Sequence, residues 1–579
     1  MRRTTMAVVL SALMALSALA PVAAAGSGPA VPADAADSPA APTPQDTQQR
    51  TVDNHSDAPP DPEEDVLGWE NGYWYNESID IDRSDGLNDS ELDKVVARSM
   101  ARVEYVRELE FEETVPVEVI SREEYQSDDG NYTPSTADRL HQNTKWEATF
   151  FVNESTDAIA TQQANRGATV GGFYSPTEDR IVIISENATS PKLDEITLSQ
   201  ELFHALQDQK WNTLNYFGNT TERNNAYNGI IEGDGNYVDY LYEQRCNEEW
   251  DCLLPSENGG GGGGADINFG IYFVSFQPYS NGPAFVQEIR EEGGWEAVND
   301  VYDNPPASSE QVIHPEKYPD ETPSEVTVEH DPQNGWEVLD MGEDSVDYAV
   351  FGEAGIASMV YYPTFEATQA NQALTEVTVP YQSFFNTDSQ GNVADINPYT
   401  YDFEASEGWD GDKLYPYVND ESAETNETAY VWKTQWDSEE DAQEFASMYQ
   451  TILESKGGER ADGLQNTWRI PDGNEFGDAF WVQQDGTTVM IVNAPTQDDL
   501  QDVRPSIEFE EREDQDSTTT TASTTAASTT AMDDGTTESM GTDTTTEDDE
   551  GDGGSPGLTA VAALAALALA ALGLRRRQR

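Results

Sequence analysis

Positive charge is what this chain has least of: 30 Lys+Arg stand against 110 Asp+Glu in 579 residues, a formal net charge of −80 spread along the whole length. Such a surface repels phosphate backbones and anionic membrane faces, which excludes nucleic acid as a partner. Cysteine is nearly missing too. The only two, Cys246 and Cys252, cannot complete a structural zinc site by themselves, so a disulfide is expected in an oxidising compartment, with metal ligation as the rival reading. No solenoid-type repeat is seen. Acidity of this degree often marks disorder, yet 10% aromatics, 12 Trp and dense apolar stretches between about residues 69 and 507 call for packed domains. The length leaves room for two or three of them.

Both ends read as address labels. Met1-Arg2-Arg3, an apolar run over 7–20 and the small residues 22–26 form a secretory signal peptide pattern, assigned to residues 1–25. Residues 26–65, rich in Pro, Ala, Asp and Gln, are expected to be a disordered leader, and 508–554 an acidic Ser/Thr-rich stalk. Residues 555–579 form a C-terminal sorting signal or transmembrane anchor. The stretch 558–574 is apolar apart from Thr559 and would span about 26 Å as a helix. Arg575-Arg576-Arg577 after it would stay cytoplasmic, so the expected place is extracellular, anchored to the cytoplasmic membrane through the C-terminus. N-glycosylation acceptors stand at Asn54, Asn76, Asn88, Asn131, Asn153, Asn187, Asn219 and Asn426. Any one such tripeptide arises by chance; together they fit a glycosylated exterior.

Between the labels, two units are expected: 66–427 and a small α+β unit over 428–507. Asn88-Asp89-Ser90-Glu91 has the pattern of a helix cap, followed by Leu92, Val95, Val96, Met100, Val103 and Val106 at helical spacing. Residues 114–121 alternate as a strand, and Gly171-Gly172-Phe173-Tyr174-Ser175-Pro176 is a turn feeding a β-branched run over 180–185. A glycine run, 259–264, interrupts the larger unit. In the smaller one a strand through Tyr430-Val431-Trp432 precedes a helix with Ala442, Phe445, Ala446, Tyr449 and Leu453 on one face, then a hairpin turning at Asp485-Gly486. The Trp and Tyr clusters, such as Trp69, Tyr73, Trp74 and Tyr75, read as packing.

Chemistry concentrates at Gln200-Glu201-Leu202-Phe203-His204, one residue away from the zinc-peptidase pattern His-Glu-x-x-His. Positions 200 and 204 stack one helical turn apart, so the intact pattern aims two imidazoles at one metal. Here the first imidazole is a carboxamide, a weak neutral donor. Gly172-Phe173-Tyr174-Ser175-Pro176, His204-Ala205-Leu206-Gln207-Asp208-Gln209, Glu232-Gly233-Asp234, Ser309-Glu310-Gln311-Val312-Ile313-His314-Pro315-Glu316 and Gly408-Trp409-Asp410-Gly411-Asp412 together resemble a haloarchaeal secreted surface-protein family. That family is related to His-Glu-x-x-His, gluzincin-like metallopeptidases. The composition is similar to that of haloarchaeal proteins, whose exterior charge is screened in concentrated salt, where the Debye length is ~3 Å at 1 M. Ser555-Pro556-Gly557 and the helix after it resemble an archaeosortase sorting signal, with Leu558 where that signal has Phe.

The resemblance covers roughly residues 87–495 and implies an α+β fold: a zincin-like (gluzincin-type) domain followed by the small α+β domain. It implies that His204 and Glu232, 28 positions later (232 minus 204), are zinc ligands, that Glu201 is the general base, and that the strand near Arg180 is the edge that holds extended peptide. Gln200 breaks the scheme at the first ligand. Even the loss of a group behind a ligand weakens metal binding ~10–100-fold, so losing a ligand leaves no zinc or only weakly held zinc. The expected function is a cell-surface glycoprotein with a degenerate peptidase-like domain that binds envelope components or extracellular peptide. An active zinc endopeptidase using Glu201 stays open as the alternative. So does recognition of a partner by the C-terminal unit, and His314, otherwise a loop residue before Pro315, is the candidate substitute ligand.

Overall fold

The computed structural model describes residues 59–82, 86–127, 133–185, 193–254, 267–343, 345–370 and 378–511, and the fold is α+β. The signal peptide, most of the leader, nearly all of the stalk and the C-terminal anchor expected above lie outside the described residues, as do Asn54, Asn131 and Asn187. No helix among the described residues is long and apolar enough to cross a membrane.

The first long helix, α1 (Asp89–Arg107), starts where the sequence supplies reciprocal caps. The Asn88 side chain accepts from Glu91 N, and the Glu91 carboxylate accepts from Asn88 N. Val95, Met100, Val103 and Val106 are buried along it. So are three arginines, each matched by a buried acceptor: Arg98 and Arg102 reach Glu195 at 3.0 and 2.6 Å, and Arg107 reaches Asp234 at 3.0 Å. In a chain so short of cations, these pairs tie α1 to the two helices that carry the candidate site.

A small sheet follows, made of β1 (Val117–Ser121), β2 (Gly172–Ser175) and β3 (Arg180–Ser185) in the order β1-β3-β2. β3 pairs in parallel with β1 and antiparallel with β2. The strand bearing Arg180 is therefore central, not the edge the sequence reading gave it. Both of its hydrogen-bonding sides are taken, and the edge strand nearer the candidate site is β2. A Cβ on Gly172 would lie 3.4 Å from Glu201 Cγ, so β2 runs against the catalytic-type helix.

That helix is α2 (Glu195–Trp211); α3 (Thr221–Glu248) packs against it, and α4 (Phe269–Asp303) and the short α5 (Ser309–Ile313) pack against α3, α4 also reaching α2 through Tyr302. α3 and α4 approach unusually closely. A Cβ on Gly233 would meet the Gly282 backbone at 2.7 Å, and one on Gly282 would meet Gly233 Cα at 2.7 Å. Cys246 and Cys252 are joined near the end of α3, with Cα atoms 5.4 Å apart.

The C-terminal part contains β4 (Glu337–Val338), α6 (Gly352–Gln369), β5 (Trp409–Val418), β6 (Ala429–Trp436), α7 (Glu439–Ser455), β7 (Glu459–Arg460), β8 (Thr467–Arg469), β9 (Ala479–Asp485), β10 (Thr488–Ala494) and α8 (Gln497–Val503). Its seven-stranded sheet has the order β4-β5-β6-β10-β9-β8-β7, all antiparallel. A boundary at residue 428 falls between β5 and β6, which are hydrogen-bonded from Trp409↔Trp436 to Tyr417↔Ala429, so the sheet starts well before it. Ala442, Phe445, Ala446, Tyr449 and Leu453 of α7 cover one sheet face. The same apolar core runs on through Trp432 and Phe351 to Phe273 and Trp146, joining the sheet to the helical part.

Candidate functional site

Gln200, Glu201 and His204 lie on α2 and Glu232 on α3, and all four are sealed from solvent, at 2%, 0%, 0% and 0% exposure. The fold brings His204 and Glu232 together: Nε2 of the imidazole is 3.4 Å from Oε2 of the carboxylate. Gly235 makes room for the ring, since a Cβ there would lie 3.1 Å from His204 Cε1.

The other face of the imidazole is fixed by a buried chain of hydrogen bonds. His204 Nδ1 is 2.7 Å from Gln207 Oε1, and Gln207 Nε2 donates to Ile231 O at 2.9 Å and to Tyr302 Oη at 2.7 Å. Because Ile231 O can only accept, the amide nitrogen must face it, which leaves the amide oxygen toward His204. Nδ1 therefore carries a proton, and Nε2 is the atom turned toward Glu232. The chain continues through Tyr302 Oη, which donates to Asp234 Oδ2 at 2.8 Å, to the Asp234–Arg107 pair. Gln207, Asp234, Tyr302 and Arg107 were not singled out as site residues from sequence. The available signal was a polar residue three positions after His204, on the face that α2 buries.

Burial pushes Glu201 up to about 8, against the pull of His204 and with added repulsion from Glu232. Burial pulls His204 down, but Glu232, Glu201 and the Gln207 hydrogen bond outweigh it and raise the imidazole to about 9. Both shifts favour the protonated forms of His204 and Glu201.

The resemblance implies zinc held by His204 and Glu232. Two ligands about 2.1 Å from one tetrahedral ion are themselves about 3.4 Å apart, and His204–Glu232 has that spacing. Among the described residues a third strong donor at this spacing is missing. Among the described residues, the clusters of three or more His, Cys, Asp or Glu with ligand atoms within 4.8 Å of one another do not include His204 or Glu232. Gln200 offers only its amide, so the residues present do not fit tightly held zinc. His314 does not replace it, because its Nε2 is 3.0 Å from Glu353 Oε1 in a separate cluster. Yet, outside the His204–Glu232 ion pair, Gln200 Nε2, both Glu201 oxygens and Glu232 Oε1 have no hydrogen-bond partner. Buried polar atoms rarely stay in that state.

Of the acceptor asparagines inside the described residues, Asn76, Asn88 and Asn219 are exposed and Asn153 is half-buried. Asn426 is half-buried as well, and its amide nitrogen donates to Glu154 O at 2.7 Å.

Residues 337–504 match the model of a domain of unknown function, DUF8575. No curated protein and no solved structure matches the chain. The matched segment spans α6, α7, α8 and all seven strands of the C-terminal sheet. It stops short of α2 and α3, so it does not bear on the site between them.

Proposed function

We propose that this chain is an anchored, glycosylated haloarchaeal cell-surface protein whose helical part keeps a gluzincin-type framework without peptidase activity. In this reading it acts by binding or by structure at the envelope, on envelope components or extracellular peptide. One observation carries it: a ligand pair with metal-type spacing persists between α2 and α3, while the position that completes the set is an amide. Complete burial adds support, because neither peptide nor bulk water reaches Glu201.

The rival reading, an active zinc endopeptidase with Glu201 as general base, draws support from the Glu201 oxygens and Glu232 Oε1, buried acceptors without a hydrogen-bond partner that a cation would satisfy. The two readings part at position 200. With the protein purified in molar KCl, the wild type should cleave no unfolded substrate, and Gln200→His should gain zinc that Glu232→Gln removes again. Cleavage by the wild type, abolished by Glu201→Gln, would overturn the proposal.

A further inference from the structure

A second group of metal-type donors lies where the helical part meets the C-terminal sheet. His314 follows α5, Glu353 sits in the first turn of α6, and Asp402 lies in the segment leading to β5; one ligand atom from each falls within 4.8 Å of the others. His314 Nε2 and Glu353 Oε1 are 3.0 Å apart. Ligands of a divalent ion with bonds of about 2.1 Å are separated by about 3.4 Å in a four-coordinate site and about 3.0 Å in a six-coordinate one, so the spacing suits a shared cation whose coordination is completed by water, as well as a hydrogen bond.

Two further observations favour the cation. Glu353 is fully buried, and its second oxygen, Oε2, has no hydrogen-bond partner. A carboxylate left half-satisfied in the interior is costly, and a cation on that side removes the deficit. Access is also open. Asp402 is exposed and His314 retains 13% of its surface, so an ion can enter from solvent and keep water in its remaining positions.

The other acidic clusters lack these features. Glu310, Glu321 and Asp437 already share Lys317. In the group of Glu147, Glu154 and Asp478, the buried carboxylate, Asp478, accepts from Asn493.

We infer that His314, Glu353 and Asp402 bind a first-row divalent cation of the zinc class, which clamps the turn after α5 to the segment carrying α6 and the approach to β5. One imidazole nitrogen and two carboxylates form a borderline donor set that matches zinc or manganese better than calcium, which prefers oxygen alone. The ion would join His314, outside the segment matched by DUF8575, to Glu353 and Asp402 within it.

The test uses the full chain in molar KCl, stripped with a chelator, dialysed against zinc chloride and assayed for bound zinc. The wild type should hold one zinc per chain. His314→Ala and Asp402→Asn should weaken binding by more than about 100-fold, while Glu232→Gln leaves it unchanged. Asp402 is exposed, so its variant does not endanger folding. No zinc on the wild type, or full retention in His314→Ala or Asp402→Asn, overturns the inference. Zinc lost only with Glu232→Gln would overturn both this clamp and the retired peptidase site, whereas absence of zinc from the wild type leaves the latter standing.

Discussion

An arginine in an apolar interior must find acceptors for a planar fork of five N–H donors, and α1 buries three of them. Arg107 meets the Asp234 carboxylate through Nε and Nη2 and lies 4.2 Å over the Trp295 ring. Removing one partner leaves the other charge stranded, which typically costs ~3–5 kcal/mol. Arg107→Ala should therefore lower unfolding stability by about that amount. Arg180, a third exposed and paired with the still more exposed Glu118 and Glu178, should lose less than ~1 kcal/mol on the same change. Equal losses in denaturant titrations at one salt concentration would show that Arg107 has no special place. Asp234 also receives Tyr302 Oη, so Arg107→Ala should disturb the support of His204 as well as the fold. Gln200 was legible as the anomaly because it sits in a short motif on one helix. The Gln207–Tyr302–Asp234–Arg107 chain was not, since its members come from three further elements far apart in sequence.

At the scale of the element, local patterns marked what local forces decide. The Asn88 cap and the Asp485-Gly486 turn are short-range devices, and both stand where the sequence put them. The central position of β3 depends on having two partners, which no feature of its own six residues reveals. β5 was missed for a different reason: Gly411 and Pro416 interrupt its alternation, and Pro is rare inside sheets. Its neighbour explains the exception. Pro416 O accepts from Leu339 N on the β4 side, so the missing N–H also faces the two-residue β4 rather than the long ladder with β6. Asp412 on the same strand accepts from the backbone N–H groups of Phe351 and Gly352 and from both Trp409 and Trp432 indoles, fastening the start of α6 to the sheet. The close crossing of α3 and α4 is the element-scale feature most open to test. Gly282→Ala puts a methyl 2.7 Å from Gly233 Cα, and the helices must separate beside Glu232. The expected loss is about 1–3 kcal/mol. An unchanged melting temperature would show that the crossing is not tight.

For the whole molecule, a net charge of −80 raises two separate electrostatic questions, one at the surface and one inside. Surface repulsion is screened by salt, so stability should rise with KCl. The interior behaves differently. Burial raises Glu104 and Glu222 from an ordinary 4.5 to about 8, and Glu70 and Glu310 to about 7; it lifts Asp478 from 3.8 to about 7. Each of these groups holds a proton in the folded chain at pH values where the unfolded chain has released it. Stability linked to them is therefore complete below the unfolded values and falls as pH climbs through the folded ones. His141, pulled by burial from 6.5 to about 4, works in the opposite direction between those values. Lys145, pulled by burial from 10.5 to about 7, opposes the trend only above pH 7. Burial lowers His330 as well, yet between pH 5 and 7 the five carboxyls outnumber these two opposing histidines, so the melting temperature should fall across that range at fixed salt. Because desolvation rather than long-range repulsion causes the shifts, raising KCl from 1 to 3 M should lift both ends without closing the gap. A melting temperature that rises from pH 5 to 7, or a gap that vanishes in concentrated salt, would mean these carboxyls are ionised and hydrated in the native chain.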